Sequence, residues 1–334
     1  MLIDNLTGYF YSGLNSPNIL VSILFVIIYA IIISILMSVF AYVFGWVERK
    51  MIAKTQYRHG PTYVGKYGIF QNLADFIKLL SKEKMVPGNA DRFLLNVAPV
   101  LLVSITVFII FLIPFSPYLQ ASNLGLGLLV IFVFLGFTPL LLFVAGYSSG
   151  GKFAELGAQR SVLMLISYEI PMIIVVATVG FAAGSYNLNS IIRMQSTLPY
   201  AILMPIGLII FFIAMLAELE RPPFDLREAD SELIAGWLTD ISAPYYALAL
   251  MLDYTRMFMG SLIIAILFFA GWSGPILPGI FWLIIKAFII SVFIIIVRVT
   301  VVRMRIDKIL KLGWMYLLPL SLINLLLTLI IVIL

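Results

Sequence analysis

The sequence of 334 residues contains no cysteine and a single histidine, His59. The lack of cysteine excludes disulfides, thiolate zinc sites and cysteine-ligated iron–sulfur clusters within this chain. One histidine is too few for a haem held between two histidines or for a histidine-rich metal cluster. We therefore expect that this chain binds no redox cofactor and that, if it serves redox chemistry, a partner carries the redox centres.

Charge is also scarce, because 11% of the residues are charged and 63% are hydrophobic, with a mean hydropathy of +1.11. A soluble domain averages about 25% charged residues. Several apolar runs reach the roughly 18–20 residues that cross a bilayer as a helix, and they lack the alternation of membrane strands. The sequence predicts an all-α integral membrane protein, a single polytopic domain over 1–334 with eight spans. The predicted spans are 19–47, 94–118, 124–146, 157–184, 198–219, 243–270, 276–301 and 310–334.

The basic residues predict how these spans are oriented. Eight spans place both termini on one side of the membrane, and 18 of the 21 Lys and Arg residues then fall on the other side. By the positive-inside rule that second side is cytoplasmic. We expect a multi-pass protein of the cytoplasmic (plasma) membrane with both termini outside. Nucleic-acid binding is not expected, because the basic residues flank spans instead of forming a basic domain.

The first cytoplasmic loop, 48–93, carries an amphipathic pattern over 69–84. Apolar residues recur there at helical spacing, and charged residues fall between them. The apolar residues are Ile69, Phe70, Leu73, Phe76, Ile77 and Leu80. The pattern predicts a helix that lies at the membrane interface, or one that only packs on the bundle.

The second cytoplasmic loop, 220–242, and the residues just before it are unusually acidic. They hold Glu218, Glu220, Asp225, Glu228, Asp230, Glu232 and Asp240, with only two arginines. Pro222 and Pro223 prevent the preceding helix from continuing and predict an ordered turn. The acidic residues form either a solvated face or a region that handles protons or cations.

Four charged residues fall inside predicted spans, where each costs at least about 2.5–3.5 kcal/mol on insertion scales. They are Glu169, Asp253, Arg256 and Lys286. Asp253 and Arg256 are three residues apart on one helix and share a face, so they are able to pair with each other. Together the four predict an interior polar path, with Glu169 and Glu218 as the first candidates for relay residues.

At the loops the sequence resembles the subunit 1 family of respiratory complex I, whose members are also designated H. The motif positions of the first loop are Glu48, Arg49, Lys54, Gln56, Arg58, Gly60, Pro61, Gly65, Gly68, Gln71, Asp75, Lys78, Lys82 and Glu83. Further matches are Lys152, Gly157, Arg160, residues 167–169, the acidic stretch 217–233, Arg298, Arg305, Asp307, residues 311–314 and Pro319. The resemblance covers nearly the whole chain in order, and eight spans is the family's number.

The resemblance implies a subunit that anchors a peripheral redox arm and forms most of the chamber where quinone is reduced. The implied partners are iron–sulfur and large catalytic subunits of that arm, together with antiporter-like and small membrane subunits. The acidic residues that the resemblance implies and the charged residues inside the spans together form the candidate ion-relay residues. They are Glu169, Glu218, Glu228, Asp230, Glu232, Asp253, Arg256 and Lys286. The candidate chamber and loop residues are Arg49, Arg58, Asp75, Lys78, Glu83, Arg160, Arg221, Asp225 and Asp240.

The chain departs from the family's pattern in the acidic loop. Glu220 stands where members usually have Asn, Asp230 replaces a Glu, and Asp240–Ile241 replaces a Glu–Tyr pair. The lost tyrosine falls where the family's loop faces the chamber. These departures and the composition favour an archaeal, ferredoxin-dependent relative of complex I or of the membrane-bound hydrogenases. Its acceptor would be sulfane sulfur, protons, or a phenazine or quinone, and it would pump H⁺ or Na⁺.

Two other functions compete with this coupling role. A stand-alone secondary ion transporter often has internal inverted repeats, but the acidic loop has no counterpart in residues 1–160. A purely structural anchor for the redox arm explains the loops. It does not explain why charged residues lie within the spans.

Overall fold

The computed structural model of the chain describes residues 19–117, 119–227, 230–275 and 277–333, except for the side chains of residues 19, 230, 231 and 333. The described residues form helices and connecting segments without any strand, which confirms the all-α prediction. The helices are α1 Ile19–Thr55, α2 Gln71–Leu80, α3 Arg92–Leu112, α4 Gly127–Ser148, α5 Lys152–Ala183, α6 Leu188–Met194, α7 Tyr200–Leu203, α8 Pro205–Glu218, α9 Asp230–Leu233, α10 Ala243–Phe268, α11 Gly279–Thr300, α12 Ile306–Lys311 and α13 Leu318–Ile333.

Seven helical segments within the described residues are long and apolar enough to cross a membrane. Six of them are α1, α3, α4, α5, α10 and α11. The seventh runs from α12 to α13 through a π-helical stretch, Leu312–Leu317. These segments confirm a polytopic membrane fold, whereas the assignment of the cytoplasmic and outer sides stays a prediction.

The fifth predicted span, 198–219, is not one continuous helix. It is divided into α7 and the 14-residue α8, with Met204 between them in a non-helical conformation. Pro205 explains the break, because proline lacks an amide hydrogen and disfavours the helical conformation at the residue before it. The freed backbone is partly satisfied from α13, since the Gly207 amide donates to Oδ1 of Asn324 at 3.0 Å.

Other predicted bounds shift by several residues. Helix α1 continues to Thr55, eight residues past the predicted end of the first span, and it carries the charged residues that follow the apolar run. Helix α3 ends at Leu112 instead of residue 118, and α5 begins at Lys152 instead of residue 157. Span ends are poorly fixed by hydropathy because a helix does not have to stop where the membrane stops.

Helix α10 is the centre of the bundle. Every residue in 255–268 is buried, and the apolar residues among them belong mostly to the largest hydrophobic core. Helices α1 and α13 lie at the periphery and expose apolar side chains such as Ile31 and Leu326. This arrangement places the polar first half of α10, which holds Asp253 and Arg256, against the loop that follows α8.

The predicted amphipathic helix is present as α2. Its apolar residues are not enclosed by this chain, because Leu73 is 47% and Ile77 is 58% exposed. The opposite side of α2 packs on α1 and α10. A helix that presents uncovered apolar side chains beside lysines has the character of an interfacial helix, in keeping with the first of the two predictions for this segment.

Candidate functional site

The candidate site forms where α8 ends. Glu218 is the last residue of α8, and Pro222 and Pro223 turn the chain so that the following segment folds back beneath the bundle. The charged residues of this segment are buried: taken as whole residues, Glu220 is 3%, Arg221 5% and Arg227 2% exposed. Buried charges of this kind must be paired or strongly hydrogen-bonded. Their partners come from α1, α5, α10 and α11.

Glu218 contacts both α5 and α10. The Tyr168 hydroxyl donates to its Oε2 at 2.9 Å, and Nη2 of Arg256 lies 3.3 Å from its Oε1. Arg256 also donates to the backbone carbonyl of Glu218. That carbonyl lies in the last turn of α8, where the helix dipole favours a positive charge. The Glu218 and Arg256 side chains are each 1% exposed.

Glu220 and Asp253 are joined by Arg227. Nη1 of Arg227 lies 2.8 Å from Oε2 of Glu220, and its Nη2 donates to Oδ1 of Asp253 at 2.6 Å. The Arg227 guanidinium also lies over the ring of Trp237, 5.4 Å from its centroid. Arg256 approaches the same Glu220 oxygen at 3.8 Å. The two arginines therefore connect Glu218, Glu220 and Asp253 into one charged cluster.

Glu48 connects a second group of charges. One of its carboxylate oxygens accepts from Arg221 and the other accepts from Arg298 of α11. Asp225 lies between the two groups, within the electrostatic influence of Arg227 and Arg298. Burial raises the pKa of Asp225, and those two arginines only partly oppose the effect. We call these residues together the charge network: Glu48, Glu218, Glu220, Arg221, Asp225, Arg227, Asp253, Arg256 and Arg298.

An apolar cavity of about 240 Å³ lies beside the network, between α1, α2 and α10. Its polar lining includes Arg49 and Asp75, which form an ion pair of 2.7 Å. Burial on its own would raise the pKa of Asp75. Hydrogen bonds from Arg49 and Gln71 and the charges of Arg49 and Lys78 hold that pKa below its ordinary value. The cavity thus combines an apolar wall with one ionised pair, a usual composition for a small-molecule pocket.

Tyr254 belongs to both features. Its side chain lines the cavity, and the Arg221 guanidinium lies over its ring, 5.1 Å from the centroid. Arg221 is in turn bound to Glu48. At this point a single layer of side chains, that of Tyr254, separates the cavity from the charged residues Arg221 and Glu48.

Glu169 follows Tyr168 in α5 and lies outside the charge network. Its Oε1 is close to Gly136 of α4, where a Cβ atom would lie 2.8 Å from that oxygen. Among the described residues Glu169 has neither a hydrogen bond nor an ion pair, although its charge acts on Glu218. Its half-buried side chain places a carboxyl group at the α4–α5 surface of this chain.

Asp253 and Arg256, predicted as able to pair with each other, take other partners. Asp253 binds Arg227, and Arg256 binds Glu218 and approaches Glu220. The segment around the end of α8 folds against α10 and supplies an opposite charge for each of them, Arg227 for Asp253 and the two glutamates for Arg256.

Lys286 lies apart from the network. Its Nζ donates to the carbonyls of Phe269, Gly271 and Ser273, at 2.7–2.9 Å, just after the end of α10. Arg256 is about 20 Å away along α10 by helix rise. The structure therefore gives Lys286 a contact that neutralises free carbonyls at a helix end.

Glu232 is at the surface, with its side chain 46% exposed. It is bound by Arg160 at 2.6 Å and by Arg303. The hydrogen bond from Arg160 is the main reason that the pKa of Glu232 is lowered. Burial opposes the effect, and the charges of Arg303 and Arg160 add to it. Glu232 thus joins the start of α5 to the segment after α11.

The remaining predicted residues lie around these features. Asp240 accepts from the Ser149 hydroxyl at 3.4 Å, and Lys78 lies 3.9 Å from Asp75. Arg58 is exposed and binds only Gln56 among the described residues, and Glu83 is exposed. Glu228 and the side chain of Asp230 lie outside what the structure describes.

Four members of the charge network and two tyrosines that contact it were not among the candidate site residues. They are Glu48, Tyr168, Glu220, Arg227, Tyr254 and Arg298. One signal was available for Glu48, because a carboxylate directly after a long apolar run is unusual beside so many lysines and arginines. No sequence signal joins Glu48 to Arg298, since the two are 250 residues apart.

The helices and the site define a polytopic membrane protein with buried ion pairs beside an apolar pocket. A family model described as NADH dehydrogenase matches residues 27–329, and the chain belongs to this family, among the H subunits of complex I-like complexes. The chain is 38% identical to the NADH-quinone oxidoreductase H subunit of Carboxydothermus hydrogenoformans, over 84% of this chain and 81% of that protein. It is 39% identical to the corresponding protein of Desulfotalea psychrophila, over 85% and 89%. It is 36% identical to the F420H2 dehydrogenase H subunit of Methanosarcina acetivorans, over 84% and 86%.

Proposed function

We propose that this chain couples electron transfer in a peripheral iron–sulfur arm to the movement of H⁺ or Na⁺ across the membrane. The observation that carries the proposal is the contact between cavity and network: Tyr254 lines the cavity and holds Arg221, and Arg221 holds Glu48. The chain would serve within a complex and have no complete activity alone. Its partners would be the iron–sulfur and large catalytic subunits together with antiporter-like and small membrane subunits.

The cavity suits a flat, largely apolar acceptor with a polar head group. Its wall is mostly apolar, and Arg49 and Asp75 supply one charged edge. A quinone or phenazine bound there would take up electrons from the arm and acquire negative charge or protons. The residues of this chain would orient the head group at Arg49 and Asp75 and transmit the charge change to Arg221 through Tyr254.

The charge network would then respond to the change of charge in the cavity. Its carboxylates are Glu48, Glu218 and Glu220, which are buried, and Asp225 and Asp253, which are partly exposed. Its arginines are Arg221, Arg227, Arg256 and Arg298. If all are ionised, five negative charges face four positive ones, so the network favours holding one further positive charge. In a low dielectric this charge imbalance has a high electrostatic free energy. A proton gained or lost by one carboxyl group is the simplest change that restores balance, and Tyr168 and Glu169 extend the network toward α4.

The experiment is a Glu218→Gln variant of the complete complex, compared with Glu155→Gln on the cytoplasmic end of α5. Glu155 binds only Gln159 among the described residues and lies outside the network. In inverted membrane vesicles, electron transfer from the native donor and the uptake of H⁺ or ²²Na⁺ are measured together. The proposal expects the ratio of ions moved to electrons transferred to fall at least about tenfold in Glu218→Gln and to stay normal in Glu155→Gln.

An unchanged ratio in Glu218→Gln would refute the coupling role and favour a structural anchor. Mild-detergent purification of the tagged chain from its native membrane tests the partners. Iron–sulfur and antiporter-like subunits should accompany it, whereas a chain that purifies alone and transports ions in liposomes would be a secondary transporter. Which donor and acceptor the complex uses, including the ferredoxin-dependent archaeal type, stays a prediction that the accompanying subunits would test.

A further inference from the structure

Arg227 bridges two carboxylates that lie on different segments. Its Nη1 is 2.8 Å from Glu220 on the turn after α8, and its Nη2 is 2.6 Å from Asp253 on α10. The Arg227 and Glu220 side chains are 3% and 0% exposed, while Asp253 is 21% exposed. Solvent does not reach the Glu220 carboxylate, so a cation of the protein has to balance its negative charge. Solvent partly reaches the Asp253 carboxylate.

Arg256 is the other cation within reach of Glu220. Its Nη1 lies 3.8 Å from Glu220 Oε2, and its Nη2 binds both the side chain and the backbone carbonyl of Glu218. Arg256 is therefore near two buried carboxylates, those of Glu218 and Glu220. If one of them has no other counter-charge, that carboxylate will attract Arg256 more strongly, because Coulomb energies are large in a low dielectric.

Glu220 stands where members of this family usually have Asn. The chain therefore carries an additional acidic group two residues from Glu218, in a region that excludes water. We propose that Arg227 is a positioning residue that neutralises Glu220 and thereby keeps Arg256 bound to Glu218. This inference rests on the proposed function in one respect, which is that Glu218 acts in coupling.

Four variants of the complete complex test the assignment: Arg227→Ala, Arg227→Lys, Glu220→Asn with Arg227→Ala, and Arg227→Ala with Asp253→Asn. The first leaves Glu220 buried without its cation. The third removes the acid together with its cation, and the fourth removes the other partner as a matched control. Two quantities are measured, the amount of assembled complex in the membrane and the ratio of ions moved to electrons transferred.

The expected result for Arg227→Ala is a loss of about tenfold or more in assembled complex or in the ion-to-electron ratio, because a buried charge has lost its partner. Arg227→Lys retains the charge and should keep most of both quantities. Glu220→Asn with Arg227→Ala should restore them to within about twofold, whereas Arg227→Ala with Asp253→Asn should not.

Restoration by Asp253→Asn instead of Glu220→Asn would overturn the inference, since Arg227 would then act as an anchor for Asp253. Failure of both double variants to restore the complex would overturn it as well. The Glu218→Gln variant separates this result from the proposed function. If Glu218→Gln leaves the ion-to-electron ratio normal, the coupling role fails, but rescue of assembly by Glu220→Asn still establishes the Glu220–Arg227 neutralisation.

Discussion

The guanidinium of Arg221 lies over the ring of Tyr254, with 5.1 Å between its central carbon and the ring centroid. The two residues come from different places, Arg221 from the turn after α8 and Tyr254 from α10. Arg221 also binds the buried carboxylate of Glu48. Tyr254 faces the cavity with another part of its side chain. The stacked pair is therefore the boundary between the pocket and the charges that the pocket is proposed to control.

Replacing Tyr254 tests this boundary. Tyr254→Phe keeps the aromatic face, so we expect normal assembly and an ion-to-electron ratio within about twofold of the native value. Tyr254→Leu removes a cation–π contact worth about 1–2 kcal/mol in a desolvated site, and we expect a clear fall in the ratio. Parallel measurement in inverted vesicles checks both. Equal behaviour of the Phe and Leu variants would show that the ring face is not used.

Replacing Glu48 tests the anchor of the second charge group. Glu48→Gln leaves Arg221 and Arg298 without their shared anion, and breaking a buried pair in this way costs about 3–5 kcal/mol. We expect less assembled complex and a clearly lower midpoint for thermal loss of activity in detergent. The matched control is Glu83→Gln at an exposed residue of the same loop, for which a change within about 0.5 kcal/mol is expected.

Hydropathy predicted the spans well but not the break within the fifth span, 198–219. Pro205 was visible in the sequence, yet proline is tolerated inside α3, α4 and α5, at Pro99, Pro139 and Pro171. What differs at Met204 is tertiary: Asn324 of α13 supplies an acceptor for the Gly207 amide. A partner more than a hundred residues away decides whether the helix tolerates a break at that position.

The site was predictable as a set of residues and not as a set of pairs. Acid density identified Glu218 and Asp225, and the cost of a charge in a span identified Asp253 and Arg256. Helical spacing then allowed a local Asp253–Arg256 pair, whereas in the structure Asp253 binds Arg227 and Arg256 binds Glu218. Spacing along a helix describes only one element, and Asp253 and Glu218 are each paired with an arginine from another element.

Glu232 predicts a pH dependence of stability. Its pKa is lowered below the ordinary value of 4.5 by Arg160 and Arg303. A lowered pKa in the folded state means that the stabilisation is fully present above about pH 4.5 and is lost as pH falls through the lowered value. Because the side chain is about half exposed, the contribution is small, about 1 kcal/mol or less, and is screened by salt.

The variant Glu232→Gln should therefore differ slightly from the native complex in thermal stability at pH 7 in low salt, and the difference should be smaller at pH 4, where the stabilisation has begun to be lost. Thermal inactivation midpoints at both pH values, with and without about 0.5 M salt, check this. A difference that is larger at pH 4 than at pH 7 would contradict the assignment.

Gly136 gives a probe for Glu169 that leaves the carboxyl group in place. A Cβ atom at residue 136 would lie 2.8 Å from Oε1 of Glu169, closer than real Cβ contacts, and that oxygen is the far end of a flexible side chain. Gly136→Ala should therefore move the carboxylate at little cost in stability, and the alanine should itself favour the helix by about 1 kcal/mol. We expect normal assembly with a reduced ion-to-electron ratio.

The control is Gly125→Ala, where an added Cβ meets no atom within 4 Å. A normal ratio in Gly136→Ala together with a reduced ratio in Glu169→Gln would mean that the carboxyl group is needed but its position against α4 is not.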